Sequence, residues 1–139
     1  MTSSVRYLRL TPGQALPVLD RARPFSALVL IRAEVTQEWQ WAVSEWLVAS
    51  GCLNMAAWGL DCSSWDDSVD LANLEAFDFE VPEDRFVMTS WHANNTLEEA
   101  VFFAKHCAFH STVALTEALI LEISLEDHEA EVLALWARL

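Results

Sequence analysis

The sequence predicts a single-domain, layered α/β protein, Rossmann-like, with a mostly parallel sheet of about five strands and about four helices. Three observations predict it. Apolar runs of strand length alternate with segments of helical periodicity, in the order β-β-α-β-α-β-α-β-α. The run Phe25 to Ile31 (FSALVLI) is apolar at every position but Ser26, as expected of a strand covered on both faces. The 139 residues are enough for one continuous core, and three Gly and four Pro leave little room for linkers. Residues 1–24 read as an edge strand and a connection, and residues 25–139 as the alternating β/α core.

The elements follow in chain order. Val5 to Leu10 mixes apolar residues with Arg6 and Arg9, which suits an edge strand that must not pair with another chain. This strand could run antiparallel to the rest. Residues 14–24 have room for one helical turn before Pro24. After the Phe25–Ile31 strand, Thr36 is a good N-cap. Trp39, Ala42, Val43, Trp46, Leu47 and Ser50 then recur at helical spacing, and Gly51 is the natural residue to stop that helix. Asn54 to Trp58 reads as a short strand and 59–64 as a turn. Ser63 or Ser64 would cap a helix starting near Trp65, with Asp66 and Asp67 in its first turn and Val69, Ala72 and Phe77 inward. That helix must end before Pro82. Phe86 to Trp91 reads as the next strand. Thr96 and Glu99 form a capping-box pattern ahead of a helix with Leu97, Val101, Ala104 and Ala108 on one face. Ala118 to Ser124 is the last strand. Ser124 with Asp127 would cap a final helix whose apolar side carries Leu125, Val132, Leu133, Trp136 and Leu139.

Charge is the strongest functional signal. The formal net charge is −13, which disfavours binding to nucleic acid or to an anionic membrane and favours a basic partner. A bland alternative is that the charge serves solubility. Between Arg32 and Arg85 the chain runs 52 residues without Lys or Arg. It carries twelve Asp or Glu there, and five of the seven tryptophans. Trp39 and Trp46 fit the buried helix face, whereas Trp41 lies on the opposite side and should be at least half-exposed. Trp65 stands between acids. Tryptophan rimmed by carboxylates has the composition of an interaction hot spot facing a basic protein. The residues expected to form that surface are Trp41, Trp65, Asp66, Asp67, Asp70, Glu75 and Asp78.

A second candidate is the carboxyl end of the sheet, where open α/β folds bind ligands. Glu34, Asp61, Ser63, Ser64 and His92 follow predicted strands and would project from that edge. A catalytic version would use Cys62 as nucleophile and His92 as base, with Asp61 nearby. The acids around Cys62 oppose a thiolate, so a small structural cysteine is favoured. Asp61, Asp66, Asp67 and Asp70, with His92, could suit a hard cation, but the spacing matches no specific loop, and capping explains Asp66 and Asp67 more simply. His106 and His110 are four apart, which suits zinc on a helix, with Cys107 turned away by about 100°. No glycine-built phosphate loop or serine elbow is present. No catalytic residue, metal or cofactor is therefore expected. Cys52, Cys62 and Cys107 are an odd number at unrelated spacings, and the first residues lack a signal-peptide pattern. Together these suggest reduced thiols in a cytoplasmic protein.

The runs Trp58-Gly59-Leu60-Asp61-Cys62-Ser63-Ser64-Trp65-Asp66-Asp67-Ser68, Pro82 to Thr89 and Phe103 to Cys107 resemble a family of small uncharacterised bacterial proteins carrying a domain-of-unknown-function label. The resemblance covers most of the chain after about residue 25. It implies a bacterial, cytoplasmic, single-domain protein and transfers no activity or catalytic residue.

These features lead to an expected function: a non-catalytic binding protein of the immunity or inhibitor type, neutralising a basic protein. Mimicry of nucleic acid on a nuclease is a related mechanism. The alternatives are a small enzyme or ligand-binding domain at the sheet edge, and an obligate homodimer that covers its own tryptophans.

Overall fold

A computed structural model describes residues 4–19 and 23–139. Five parallel strands form one sheet in the order β1-β5-β2-β3-β4, with β1 at Ser4–Leu10, β2 at Phe25–Ile31, β3 at Cys52–Gly59, β4 at Met88–Trp91 and β5 at Glu117–Ile123. Four helices cover it: α1 (Gln37–Ala49), α2 (Cys62–Ala76), α3 (Leu97–His106) and α4 (Glu129–Arg138). The layered α/β class is as the periodicity predicts. None of these helices is long and apolar enough to cross a membrane.

The first strand does lie at an edge, but it runs parallel to β5 rather than antiparallel. The chain leaves β1 at the carboxyl edge and must return to the opposite edge to begin β2, and residues 11–24 are long enough for that crossover. The helical turn allowed for 14–24 is absent at 14–19 and 23–24. Residues 20–22 lie outside the described residues. The return strand β5 inserts between β1 and β2, which makes β2 a central strand buried along its whole length.

Right-handed crossovers then decide which face each helix covers. Moving outward through β2, β3 and β4 places α1 and α2 on one face, where Val43, Leu47, Cys62, Trp65 and Val69 pack on Phe25, Val29, Met55 and Leu121. Moving back to β5 places α3 on the other, where α4, following β5, joins it and Val101, Ala104, Val132 and Trp136 pack on Leu28, Leu30, Ala56 and Ile120. The alternation of side chains along each strand assigns odd and even residues to these two cores.

Two helix starts are as predicted. Thr36 Oγ1 accepts from Trp39 N, and Thr96 with Glu99 forms both halves of the capping box. The bonds from Thr96 hold the Glu99 carboxyl below its usual range. Two other starts differ. Helix α2 begins at Cys62, not near Trp65, and neither Ser63 nor Ser64 is its cap. The turn from β3 is tight: Gly59 has φ +113 and Asp61 has φ 51, so the chain is already helical by Cys62. Ser64 Oγ instead donates back to Asp61 O. Asp66 and Asp67 therefore lie beyond the first turn and do not support the helix start. In α4 the cap position falls on His128. Ser124 Oγ accepts from Glu126 N, Asp127 Oδ1 accepts from Glu129 N, and Leu125 is exposed rather than packed. Ala42, expected on the buried side of α1, is also exposed, and Ser44 takes its place against Ser68 of α2.

Candidate functional site

The acidic region divides when it folds. Trp65 is 1% exposed and sits in the core under α1 and α2, so it cannot touch a partner. Its spacing to Val69 and Ala72 puts it on the inward stripe of α2. Asp66 is buried too, against the edge strand β4. Burial, followed by repulsion from the Asp70 carboxylate, pushes its carboxyl up to about 6, while a bond from Thr89 opposes the rise. The one Thr89 hydroxyl hydrogen is shared with Asp70, whose Oδ1 lies 2.7 Å from Thr89 Oγ1.

Trp41 and Asp67 do meet. They line a shallow groove of about 240 Å³ between α1 and α2, with Gln40, Ser64 and Leu71. The remaining acids lie toward the other end of α2 and in the loop that follows. Glu75, Asp78, Glu80, Glu83 and Asp84 are exposed there. The helix ends in a Schellman arrangement, with Phe79 N donating to Leu74 O at 2.8 Å and Asp78 left-handed at φ 52. Phe79 is left-handed as well, at φ 64, which is a strained conformation for a bulky side chain. It is 63% exposed between Asp78 and Glu80, and Phe86 is 47% exposed after Glu83 and Asp84. The aromatic component of the acidic surface is therefore phenylalanine on a loop, not Trp65. Beside it, Phe77, Asp84 and Arg85 help to line a cleft of about 340 Å³.

At the carboxyl edge of the sheet, Glu34 and Asp61 come together in a cleft of about 320 Å³, with Gln40, Leu60 and a wall of Trp65. Ser63 is exposed on the first turn of α2, and Ser64 accepts from Gln40. His92 does not join them. It stacks on Phe103 of α3 at 4.6 Å between centroids and pairs with Ser90 Oγ at 3.0 Å. Burial there lowers its pKa. Cys62 belongs to the core under α1 and α2, so the sheet separates it from His92. The Cys62–His92–Asp61 arrangement is thus not assembled.

The proposed metal sets are dispersed as well. Among the described residues no three His, Cys, Asp or Glu converge as ligands. Helix α3 ends at His106, and His110 lies off it, buried. His110 Nε2 donates to Phe86 O, and its Nδ1 accepts from Thr112 N and Val113 N. It serves as a loop pin rather than half of a zinc pair. The three cysteines are free, and burial pushes Cys52 up to about 12.

One cluster lies outside the expected sites. Glu122 of β5 is 0% exposed and faces the α3–α4 side. Tyr7 of β1 donates its hydroxyl to Glu122 Oε1, and Arg32, just past β2, donates Nε to Oε2. His128 Nδ1 lies 2.9 Å from the same oxygen, close but without hydrogen-bond alignment. Burial and the Glu122 carboxylate raise the Tyr7 hydroxyl far above its ordinary value, which keeps it a donor. The Arg32 guanidinium lies over the Trp58 ring at 5.6 Å, and Trp58 Nε1 donates to Asn95 O. A signal existed in the sequence: Glu122 is the one charge inside an apolar strand, and a buried charge requires partners.

No curated protein and no solved structure matches this chain. A family model does, over residues 5–139, and the chain belongs to that family, Domain of unknown function (DUF7684).

Proposed function

We propose that this chain is a small, acidic, non-catalytic binding protein, of the immunity or inhibitor type, which neutralises a basic protein partner in the bacterial cytoplasm. The docking surface runs from the α1–α2 groove at Trp41 and Asp67, past Asp70 and Glu75, to the loop at Asp78. Phe79 is its anchor. The observation that carries this reading is Phe79, held exposed and strained between carboxylates. The helix stop needs the left-handed backbone but not an aromatic side chain, so strain of about 1 kcal/mol or more falls on a residue the fold does not require, whereas an exposed aromatic flanked by acids suits a basic surface with a hydrophobic recess. The net charge of −13 supports fast, salt-sensitive association.

The experiment is calorimetric titration with each basic protein encoded beside the gene, at low and at physiological salt. Binding should weaken as salt rises, and Phe79→Asn should weaken it at least about tenfold. Failure of every such protein to bind would refute the proposal. Light scattering on the isolated chain separates it from the homodimer alternative, which requires a stable dimer without any partner.

A further inference from the structure

We infer that the carboxyl-end crevice between β5 and β2 binds a small anion, a carboxylate or phosphate group on a small molecule, through Arg32 and His128. The placement comes from topology. Strands β5 and β2 are neighbours, yet the chain leaves β2 toward α1 on one face and leaves β5 toward α4 on the other. Diverging connections open a crevice beyond the strand ends, the position where open α/β sheets take ligands. Arg32 N is tied to Ile123 O across this crevice at 2.9 Å.

The chemistry comes from Glu122. Its two oxygens take Tyr7 and Arg32, so this buried carboxylate orients the guanidinium, with His128 Nδ1 2.9 Å from Oε2. A buried ionic cluster is a poor way to stabilise a fold, because apolar residues of the same volume usually do as well or better. Its value lies in orientation. Arg32 uses only Nε on Glu122. Its Nη2 is buried and has no partner among the described residues, and its side chain as a whole is 25% exposed. The exposed part of a guanidinium held this way presents N–H donors to an oxyanion.

Charge selects the size of the ligand. Arg9 is the register partner of Glu122 on β1 and bonds Ser124 O and Thr11, so two of the chain's eight Lys and Arg flank one buried carboxylate. The rim is acidic: Glu126 Oε2 is 3.9 Å from His128 Nε2, and Asp127 and Glu129 are exposed nearby. This rim and the −13 net charge repel a polyanion more strongly than a single oxyanion, which carries less charge past them to the guanidinium. This site lies at the edge of the sheet opposite the Phe79 loop and does not depend on the docking proposal.

The test is NMR of the full chain titrated with inorganic phosphate, with succinate, and with chloride at matched ionic strength. The expected result is saturable movement of the Arg32 Nε–H and Trp58 indole signals with phosphate or succinate, and not with chloride; the stronger of the two identifies the anion class. Arg32→Gln should weaken binding at least about tenfold, and Arg138→Gln, at an exposed pair, should leave it unchanged. Arg32→Gln could unfold by stranding Glu122, so Arg32→Gln with Glu122→Gln keeps the charge balance and should fold without binding. No saturable movement with either anion, or full binding by the folded double variant, would overturn the inference.

Discussion

The two edges of the sheet handle carboxylates in opposite ways. At the carboxyl edge, Glu122 is fully buried on a central strand and held by Tyr7 and Arg32, with His128 against it. At the amino edge, Asp78, Glu80, Glu83 and Asp84 are exposed on a loop that also displays Phe79. The first arrangement fixes geometry around a carboxylate withdrawn from water. The second leaves charge and apolar surface open to a partner. The same side-chain chemistry thus reads as a positioned site in one place and as a docking surface in the other, and burial makes the difference.

Substitutions should expose this contrast, beginning where the effect is largest. Glu122→Ala leaves Arg32 uncompensated in the interior and should cost about 3–5 kcal/mol in urea unfolding. Glu80→Ala should stay within about 0.5 kcal/mol of wild type. Similar costs at the two sites would erase the distinction.

Gly59→Ala comes next. A Cβ there would lie 2.1 Å from Ile31 O, and φ is +113, so backbone at the β2 and β3 ends must move. The expected loss is about 3 kcal/mol or more, read from the unfolding midpoint. A loss near that of an ordinary exposed substitution would mean that the carboxyl edge is far softer than its hydrogen bonds imply.

Asp66→Asn tests the boundary between the two environments. Folding raises the Asp66 carboxyl from 3.8 to about 6, so the native state binds more protons between those values. Stability should therefore fall as pH rises through that window, by on the order of 1 kcal/mol once solvent screening is allowed for. Asp66→Asn should be the more stable protein at pH 7 and should lose its advantage below about pH 4. A pH profile unchanged by the substitution would show that Asp66 is solvated like its exposed neighbours.

The elements were legible where one local rule decides them. Phe25–Ile31 is found with the same bounds because a run that short and apolar, bounded by Pro24, favours a buried strand over a helix. Thr96 and Glu99 cap α3 through contacts three residues apart. Trp65 looks like an exposed helix start because Ser63 and Ser64 resemble caps, although its spacing to Val69 and Ala72 marks the inward stripe. The left-handed turn at Asp61 overrides the serine signal by starting the helix earlier. The Glu122 cluster was hidden for another reason. Its bonds join residues 115 and 90 positions apart, and they exist only because β5 returns between β1 and β2. Local pattern does not encode that return. Of the expected sheet-edge residues, Glu34 and Asp61 meet, whereas His92 turns toward α3, on a face that its position after a strand does not specify.

The smallest effect on stability belongs to Phe79, and it carries the most weight for function. Phe79→Asn puts a residue that tolerates left-handed backbone where Phe79 is strained, so stability should hold or rise by up to about 1 kcal/mol. The direct test is calorimetric titration of a basic partner against wild type and Phe79→Asn at two salt concentrations. Wild type should bind in a salt-sensitive manner, and a Phe79→Asn protein of equal or greater stability should bind at least about tenfold more weakly. Equal affinity in the two proteins, or binding indifferent to salt, would contradict it.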